Sequence, residues 1–125
     1  MSLTLIQVAA GGAVGAVLRH LTGLAAMRAM GPGFPWGTLC VNVAGSFLMG
    51  ALVVLLAEYG GTRLAPLLMT GLLGGFTTFS AFSLDAVTLW ERGDATLAAT
   101  YVAASVGLSL VALLAGLAAA RGAFA

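Results

Sequence analysis

One stretch decides the fold of this 125-residue chain: GGFTTFSAFS, which runs from Gly74 to Ser83. Paired glycines and paired threonines disfavour the interior of a helix, yet this stretch lies in an uncharged run over residues 64–84. In a bilayer, an opened backbone is tolerated only where protein or water satisfies the freed polar groups. A broken helix at membrane depth therefore predicts an ion or substrate site. The simpler alternative is a helix kinked by close glycine packing, but the hydroxyls interspersed with phenylalanines after the break favour an ion pathway.

The composition is typical of a membrane protein. Hydrophobic residues make up 61% of the chain and charged residues only 7%, unlike a soluble protein. Four uncharged runs approach or exceed the roughly 20 residues that a helix needs to cross a bilayer. The predicted fold class is an all-α membrane protein with one domain over residues 1–125 and four transmembrane helices, the third of them broken. These helices are expected at residues 3–27, 37–58, 64–90 (with the break at 74–78) and 96–120.

Several function classes find no support in the sequence. The net charge is +1, with five Arg, no Lys and no basic cluster, which argues against a nucleic-acid partner. The spans contain no paired carboxylates, no cluster of metal-ligating side chains and no nucleophile beside a base, so an enzyme is not predicted. His20 adjoins Arg19 near a helix end and suits an interfacial position. Cys40 is the one cysteine, which excludes an intrachain disulfide, and we expect a buried structural thiol.

The five arginines are divided almost evenly between the two ends of the predicted helices. Arg63 and Arg121 lie on the side of the membrane that holds the N-terminus. Arg28 and Arg92 lie on the other side, with Arg19 near the end of the first helix. Because the bias of Lys and Arg in loops sets orientation, this near-tie predicts insertion in both orientations. An antiparallel homodimer, with a two-fold axis in the membrane plane, would then be available.

Neutral side chains on the third and second helices suit an anion. Phe79 and Phe82 are three residues apart and share a helix face, and the positive edge of each ring can contact an anion without a countercharge. Ser80 and Ser83 repeat this spacing with hydroxyl donors, and Asn42 offers an amide with two donor hydrogens. Each group also has a simpler role, which is lipid or core packing for the rings and a link between two helices for the amide.

A polar stripe follows the fourth helix. Tyr101, Ser105 and Ser109 recur every four residues, so they lie on one face. They could serve a pathway, bond to another helix or bond back to their own helix carbonyls. Two charged residues lie in or near the spans and are functional candidates by default. Arg19 could attract anions into a vestibule or reach the lipid headgroups, while Asp85 receives no definite role.

Two long motifs, in their order and spacing, resemble the Fluc/CrcB family of small fluoride channels. One is the stretch from Gly74 to Ser83, and the other is GTLCVNVAGSF over residues 37–47, preceded by a glycine-rich first helix that contains Arg19. The resemblance covers essentially the whole chain. It implies an antiparallel, dual-topology homodimer with four helices per subunit, two fluoride pores at the dimer interface and a structural sodium ion at the dimer centre.

The resemblance also implies roles for individual residues. The sodium ligands would be the main-chain carbonyls of Gly74 and Thr77 from both subunits, with Gly75 and Thr78 as the alternative register. The fluoride pathway would be lined by Asn42, Phe79, Phe82, Ser80, Ser83, Tyr101, Ser105 and Ser109, with Thr38 and Arg19 at the vestibule.

The chain departs from the family pattern at two positions. Ala81 stands where Thr is common, which removes one hydroxyl donor, and Asp85 stands where Glu is expected. Neither change touches the glycine pair or the phenylalanine pair, so the implied activity is expected to survive.

The activity that the resemblance implies is passive export of fluoride across the prokaryotic plasma (inner) membrane, which relieves fluoride toxicity. Fluoride enters cells as neutral hydrogen fluoride from acid surroundings and dissociates in the more alkaline cytoplasm. Two other classes compete with this interpretation. A small multidrug exporter needs a membrane-embedded acid in its first helix, and residues 1–27 contain none. A non-conducting assembly subunit would explain the packing glycines but not the combination of Phe, Ser and Asn.

Overall fold

The computed structural model describes residues 2–122 and, within them, contains helices and no strand. Four helices are long and apolar enough to cross a membrane, which confirms the prediction of an all-α membrane protein with four spans. They are α1 (Ser2–Met30), α2 (Trp36–Glu58), a third span (Thr62–Glu91) and α5 (Ala95–Gly122). The helix α1 continues past its expected end to a turn at Gly31, where φ is 78°, a conformation that glycine adopts readily.

The third span is interrupted by two residues of extended backbone. Its pieces are a 3₁₀ turn (Thr62–Leu64), a π-helical segment (Pro66–Leu73), the short α3 (Gly74–Phe76) and α4 (Phe79–Glu91). Between α3 and α4, the ψ angles of Thr77 and Thr78 are 159° and 126°. Gly74 is helical, with φ −62° and ψ −38°. The extended residues are therefore the threonines and not the glycines, as β-branching favours extended backbone.

The glycines before the interruption serve close packing. A Cβ on Gly75 would lie 2.6 Å from the carbonyl oxygen of Gly12 in α1, a distance that no side chain tolerates. Gly11 and Gly15 of α1 lie against main-chain carbonyls of the π-helical segment in the same way. Small residues let two helix backbones meet, so α1 packs directly along the first half of the third span.

A second contact through glycines joins α2 to α5. Gly50 of α2 meets the main chain of Leu113, and Gly116 of α5 meets the main chain of Phe47. Consecutive spans cross the membrane in opposite directions, so α2 and α5, as the second and fourth spans, run parallel. At the level of Gly50 the two backbones touch, which leaves no space between these helices there.

The expectation that Cys40 is buried is wrong, because its side chain is exposed on the surface of the chain. A thiol behaves as a small hydrophobe. Lipid tails are as apolar as a packed interior, so an apolar run in a membrane helix does not tell which of its residues face inward.

Replacing Gly15 by alanine is expected to destabilise the protein, because the new Cβ would collide with the main chain of Leu72 and Phe76. Overpacking of this kind costs about 1–3 kcal/mol, while the better helix propensity of alanine returns up to ~1 kcal/mol. Gly107→Ala is the matched control, since nothing lies within 4 Å of its Cβ position. The measurement is the thermal unfolding midpoint in detergent. Equal midpoints for the two variants would contradict the packing of α1 on the third span.

Candidate ion pathway

The interruption is held by the side chain of Asn42, which pairs with the main chain of Thr78. The amide Nδ2 donates to the Thr78 carbonyl oxygen over 2.9 Å, and the Thr78 N–H donates to Oδ1 over 2.8 Å. The Thr78 hydroxyl accepts the N–H of Ala81 at 3.1 Å and so caps the start of α4. Asn42 thus links two helices, as one of its expected roles required. This link uses one of its two amide hydrogens and leaves the other for a further acceptor.

The pairing changes the hydrogen bonding of two carbonyls near the interruption. In a continuous helix, the N–H of Thr78 would bond to the carbonyl of Gly74, and the N–H of Ala81 to the carbonyl of Thr77. Both donors bond instead to side chains, namely Asn42 Oδ1 and Thr78 Oγ1. The carbonyls of Gly74 and Thr77 therefore lose their helical donors.

The neighbouring carbonyls have found other partners. The carbonyl of Gly75 accepts the Arg19 Nε–H at 3.1 Å, and that of Thr78 accepts the Asn42 amide. The two registers that the sequence left open for main-chain ligands are thus in different situations. The carbonyls of Gly75 and Thr78 accept hydrogen bonds from side chains of the same chain. The carbonyls of Gly74 and Thr77 have lost their helical N–H donors.

Arg19 turns inward from α1 and ties that helix to the interruption. Besides its bond to Gly75, the side chain lines a cavity of about 360 Å³. Thr38, Thr78 and the exposed His20 line the same cavity. A cation in a cleft with apolar walls raises the local concentration of anions, so this geometry suits a vestibule better than a contact with lipid headgroups.

Phe79 and Phe82 contact each other but occupy different surroundings. Their ring centroids are 5.4 Å apart with the planes tilted by 56°. Phe82 is 8% exposed and packs on Tyr101 at 5.3 Å, whereas Phe79 is 76% exposed. Phe82 therefore belongs to the core of the chain, and Phe79 projects from its surface.

Asp85 joins three helices through one carboxylate oxygen. Its Oδ2 accepts the Thr38 hydroxyl at 2.6 Å and the Tyr101 hydroxyl at 3.2 Å. Thr38 lies on α2 and Tyr101 on α5, where it is fully buried. A carboxylate at membrane depth needs such donors. Asp85, whose role the sequence left open, thus fixes the side chains of two predicted pathway residues, Thr38 and Tyr101.

A groove of about 260 Å³ lies beside the interruption. It brings together five of the residues predicted for the fluoride pathway: Asn42, Phe79, Phe82, Ser105 and Ser109. The rest of its wall consists of Ser46, Thr77, Thr78, Val106 and Leu110. The Ser105 hydroxyl is buried there and has no hydrogen-bond partner among residues 2–122. Leaving such a group unsatisfied costs about 1–3 kcal/mol, which an anion or a water molecule in the groove would remove.

Three residues predicted to line the pathway, Ser80, Ser83 and Tyr101, do not line this groove, and neither do the two predicted vestibule residues, Thr38 and Arg19. The Ser83 hydroxyl donates to the carbonyl of Phe79 at 3.0 Å, and the Ser80 hydroxyl lies 3.3 Å from that of Thr78. Ser83 therefore satisfies its hydroxyl within its own helix, by the back-bonding common in membrane helices.

Ser46 is the groove residue that the sequence reasoning missed. From the sequence alone it has no role beyond its place in the motif over residues 37–47. The signal was its spacing of four residues from Asn42, which places both side chains on one face of α2.

The four spans, the side-chain-stabilised interruption and the polar groove define a multi-pass membrane protein of the architecture that channels and transporters use. The sequence profile of the family described as CrcB-like protein, Camphor Resistance (CrcB) matches residues 6–117. The chain belongs to this family, in agreement with the resemblance found in its sequence.

Curated relatives match nearly the full length of the chain. Proteins named fluoride-specific ion channel FluC from Cereibacter sphaeroides (strain ATCC 17029 / ATH 2.4.9) and Ruegeria sp. (strain TM1040) are 67% and 59% identical to it, over 98% of both partners. A protein of the same name from Paracoccus denitrificans (strain Pd 1222) is 57% identical over 100% of both. The family is one of ion channels rather than enzymes, which confirms that prediction.

The Asn42 pairing can be tested with Asn42→Asp, which keeps an acceptor for the Thr78 N–H but loses the donor to its carbonyl. We expect a loss of about 1–3 kcal/mol in unfolding free energy and faster amide hydrogen exchange at residues 78–81. Thr100→Ala is the control, since that hydroxyl bonds only to the Thr96 carbonyl of its own helix. Unchanged exchange at residues 78–81 in the aspartate variant would show that Asn42 does not hold the interruption.

Proposed function

We propose that this protein is a fluoride-selective channel that exports fluoride passively from a prokaryotic cytoplasm across the plasma (inner) membrane. The observation that carries the proposal is a sequence identity of up to 67%, over nearly the full length of the chain, to proteins named fluoride-specific ion channel. The groove beside the interruption supports it with donors that suit a small anion.

The groove offers donors without a formal positive charge. The free hydrogen of the Asn42 amide, the unpartnered Ser105 hydroxyl and the positive edges of the Phe79 and Phe82 rings can each contact an anion. Fluoride is small and strongly hydrated, so it gains from close donors that replace its water shell. Chloride is larger and needs a wider passage. A pathway must bind the ion well enough to admit it and weakly enough to release it.

The functional unit that we propose is an antiparallel homodimer with two pores. Phe79 is 76% exposed in the single chain, so the groove has no wall beyond this ring, and a second copy would supply one. The near-even division of arginines supports insertion in both orientations. Two symmetric grooves then give two pathways.

A structural sodium ion at the dimer centre is part of the proposal, and its ligands would be the main-chain carbonyls of Gly74 and Thr77 from both subunits. Support comes from the helical donors that these two carbonyls have lost to Asn42 and Thr78 side chains. Hard cations are bound by oxygen ligands of this kind. When bound, the ion would supply positive charge that holds the two interruptions together.

Export follows from the electrochemical gradient. Hydrogen fluoride crosses the membrane as a neutral molecule and dissociates in the cytoplasm, where the anion accumulates. A membrane potential negative inside drives an anion outward by about 2.3 kcal/mol per charge for each 100 mV. The channel needs no energy source or moving carrier step for this task.

Liposomes that contain the purified protein are expected to release fluoride but retain chloride. The vesicles are loaded with potassium fluoride or potassium chloride, valinomycin relieves the charge imbalance, and ion-selective electrodes follow the release. Protein-free vesicles treated with valinomycin are the control. Release of neither ion from folded protein would refute the channel and return attention to a transporter or a structural role.

Replacing Phe79 and Phe82 together by isoleucine separates a pathway from a packing element. We expect fluoride efflux to fall at least about tenfold, because isoleucine keeps apolar bulk but has no positive ring edge. The assembly in detergent, measured by size-exclusion chromatography with light scattering, should be unchanged. Loss of assembly together with flux, or retention of both, would contradict a direct role of the rings in conduction.

A further inference from the structure

Ser46 occupies a distinct position in the groove. It lies one helical turn beyond Asn42 on α2, and both side chains line the groove with Ser105 and Ser109 of α5. Since four residues of α-helix span about 6 Å, Ser46 extends the polar wall of α2 by that distance past the amide that pairs with the interruption.

The Ser46 hydroxyl has no hydrogen-bond partner in the part of the chain that the structure describes. Five other hydroxyls donate to the carbonyl four residues earlier on their own helix, and these belong to Thr22, Thr77, Ser83, Thr88 and Thr100. That back-bond is the usual way to satisfy a hydroxyl on a membrane helix. Ser46 does not use it, so its donor remains available to the groove.

The unpartnered hydroxyl of Ser105 is an independent sign that this space holds a ligand. Ser105 is 5% exposed, its oxygen is buried, and it lines the same groove from the opposite helix. Two helices thus each present a free hydroxyl to one space. A small anion or its hydration water can satisfy both.

The polar wall ends one turn after Ser46. There Gly50 meets the main chain of Leu113, and the space between α2 and α5 is closed. Ser46 is therefore the last hydroxyl of α2 before the closure.

We propose that Ser46 is a further ligand of the fluoride pathway, donating its hydroxyl to the anion as the anion passes the phenylalanine pair toward the closed end of the groove. This inference rests on the proposed fluoride conduction. It adds a residue of α2 to a wall otherwise built from Asn42 and the α5 serines.

The test compares Ser46→Ala, which removes the hydroxyl, with Ser46→Thr, which keeps it, in the fluoride efflux assay. A hydrogen bond to a charged group is worth about tenfold or more in an equilibrium, so we expect the alanine variant to conduct about tenfold more slowly. The threonine variant should stay within about twofold of the unmodified protein. Thr100→Ala is the control, because its hydroxyl bonds inside its own helix and lies outside the groove. Size-exclusion chromatography and unfolding midpoints of all variants separate conduction from folding.

Three results would overturn the inference. The first is a fluoride efflux rate of the alanine variant within about twofold of that of the unmodified protein. The second is an efflux rate of the threonine variant as low as that of the alanine variant. If Ser46→Ala does not fold, Ser46→Cys takes its place, because a thiol of similar size is a poor donor, and normal flux through it is the third. These outcomes presuppose that the unmodified protein releases fluoride. Absence of that release refutes the proposed function itself, so the two failures are distinguishable.

Discussion

The rest of the structure depends on the reciprocal hydrogen bonds between the Asn42 amide and the main chain of Thr78. A membrane helix cannot open unless its freed amide and carbonyl groups find partners, and one amide side chain supplies both for Thr78. The threonine hydroxyl then caps the new helix start. Because of these bonds the interruption is a defined structure, and the groove, the freed carbonyls and the position of α4 all follow from it.

The hydrogen-bond partners of the hydroxyl groups distinguish structural from functional polar residues in this chain. Most helical threonines for which a bond is described, together with Ser83, satisfy themselves on their own helix. Around Asp85, hydroxyls of α2 and α5 meet a carboxylate. Among residues 2–122, the buried or half-buried serines that lack such partners are Ser46, Ser105 and Ser109, and all three line the groove. These unsatisfied serine hydroxyls are thus collected in one space.

The sequence sufficed for the number of spans and for the presence of a break, because apolar run length and the glycine–threonine pattern report directly on both. It drew the opening too wide, over residues 74–78, because Gly75 serves contact with Gly12 and only Thr77 and Thr78 are extended. It could not place Asp85, whose role depends on donors from two distant helices. Nor could it separate Ser83 from Ser105, because both lie at helical spacing and only tertiary packing decides which hydroxyl turns back to its carbonyl. The expectation that Cys40 is buried was wrong for a related reason, because lipid and the protein interior are equally apolar.

The interruption in the third span also has an electrical consequence. Peptide dipoles give a helix a partly negative carbonyl end and a partly positive amide end. At Thr77 and Thr78 the first half of the span ends with its carbonyls and α4 begins with its amides, so opposite partial charges stand side by side near the middle of the span. One neutral segment of chain thereby favours a cation on one flank and an anion on the other. It does so with main-chain groups that the span already contains.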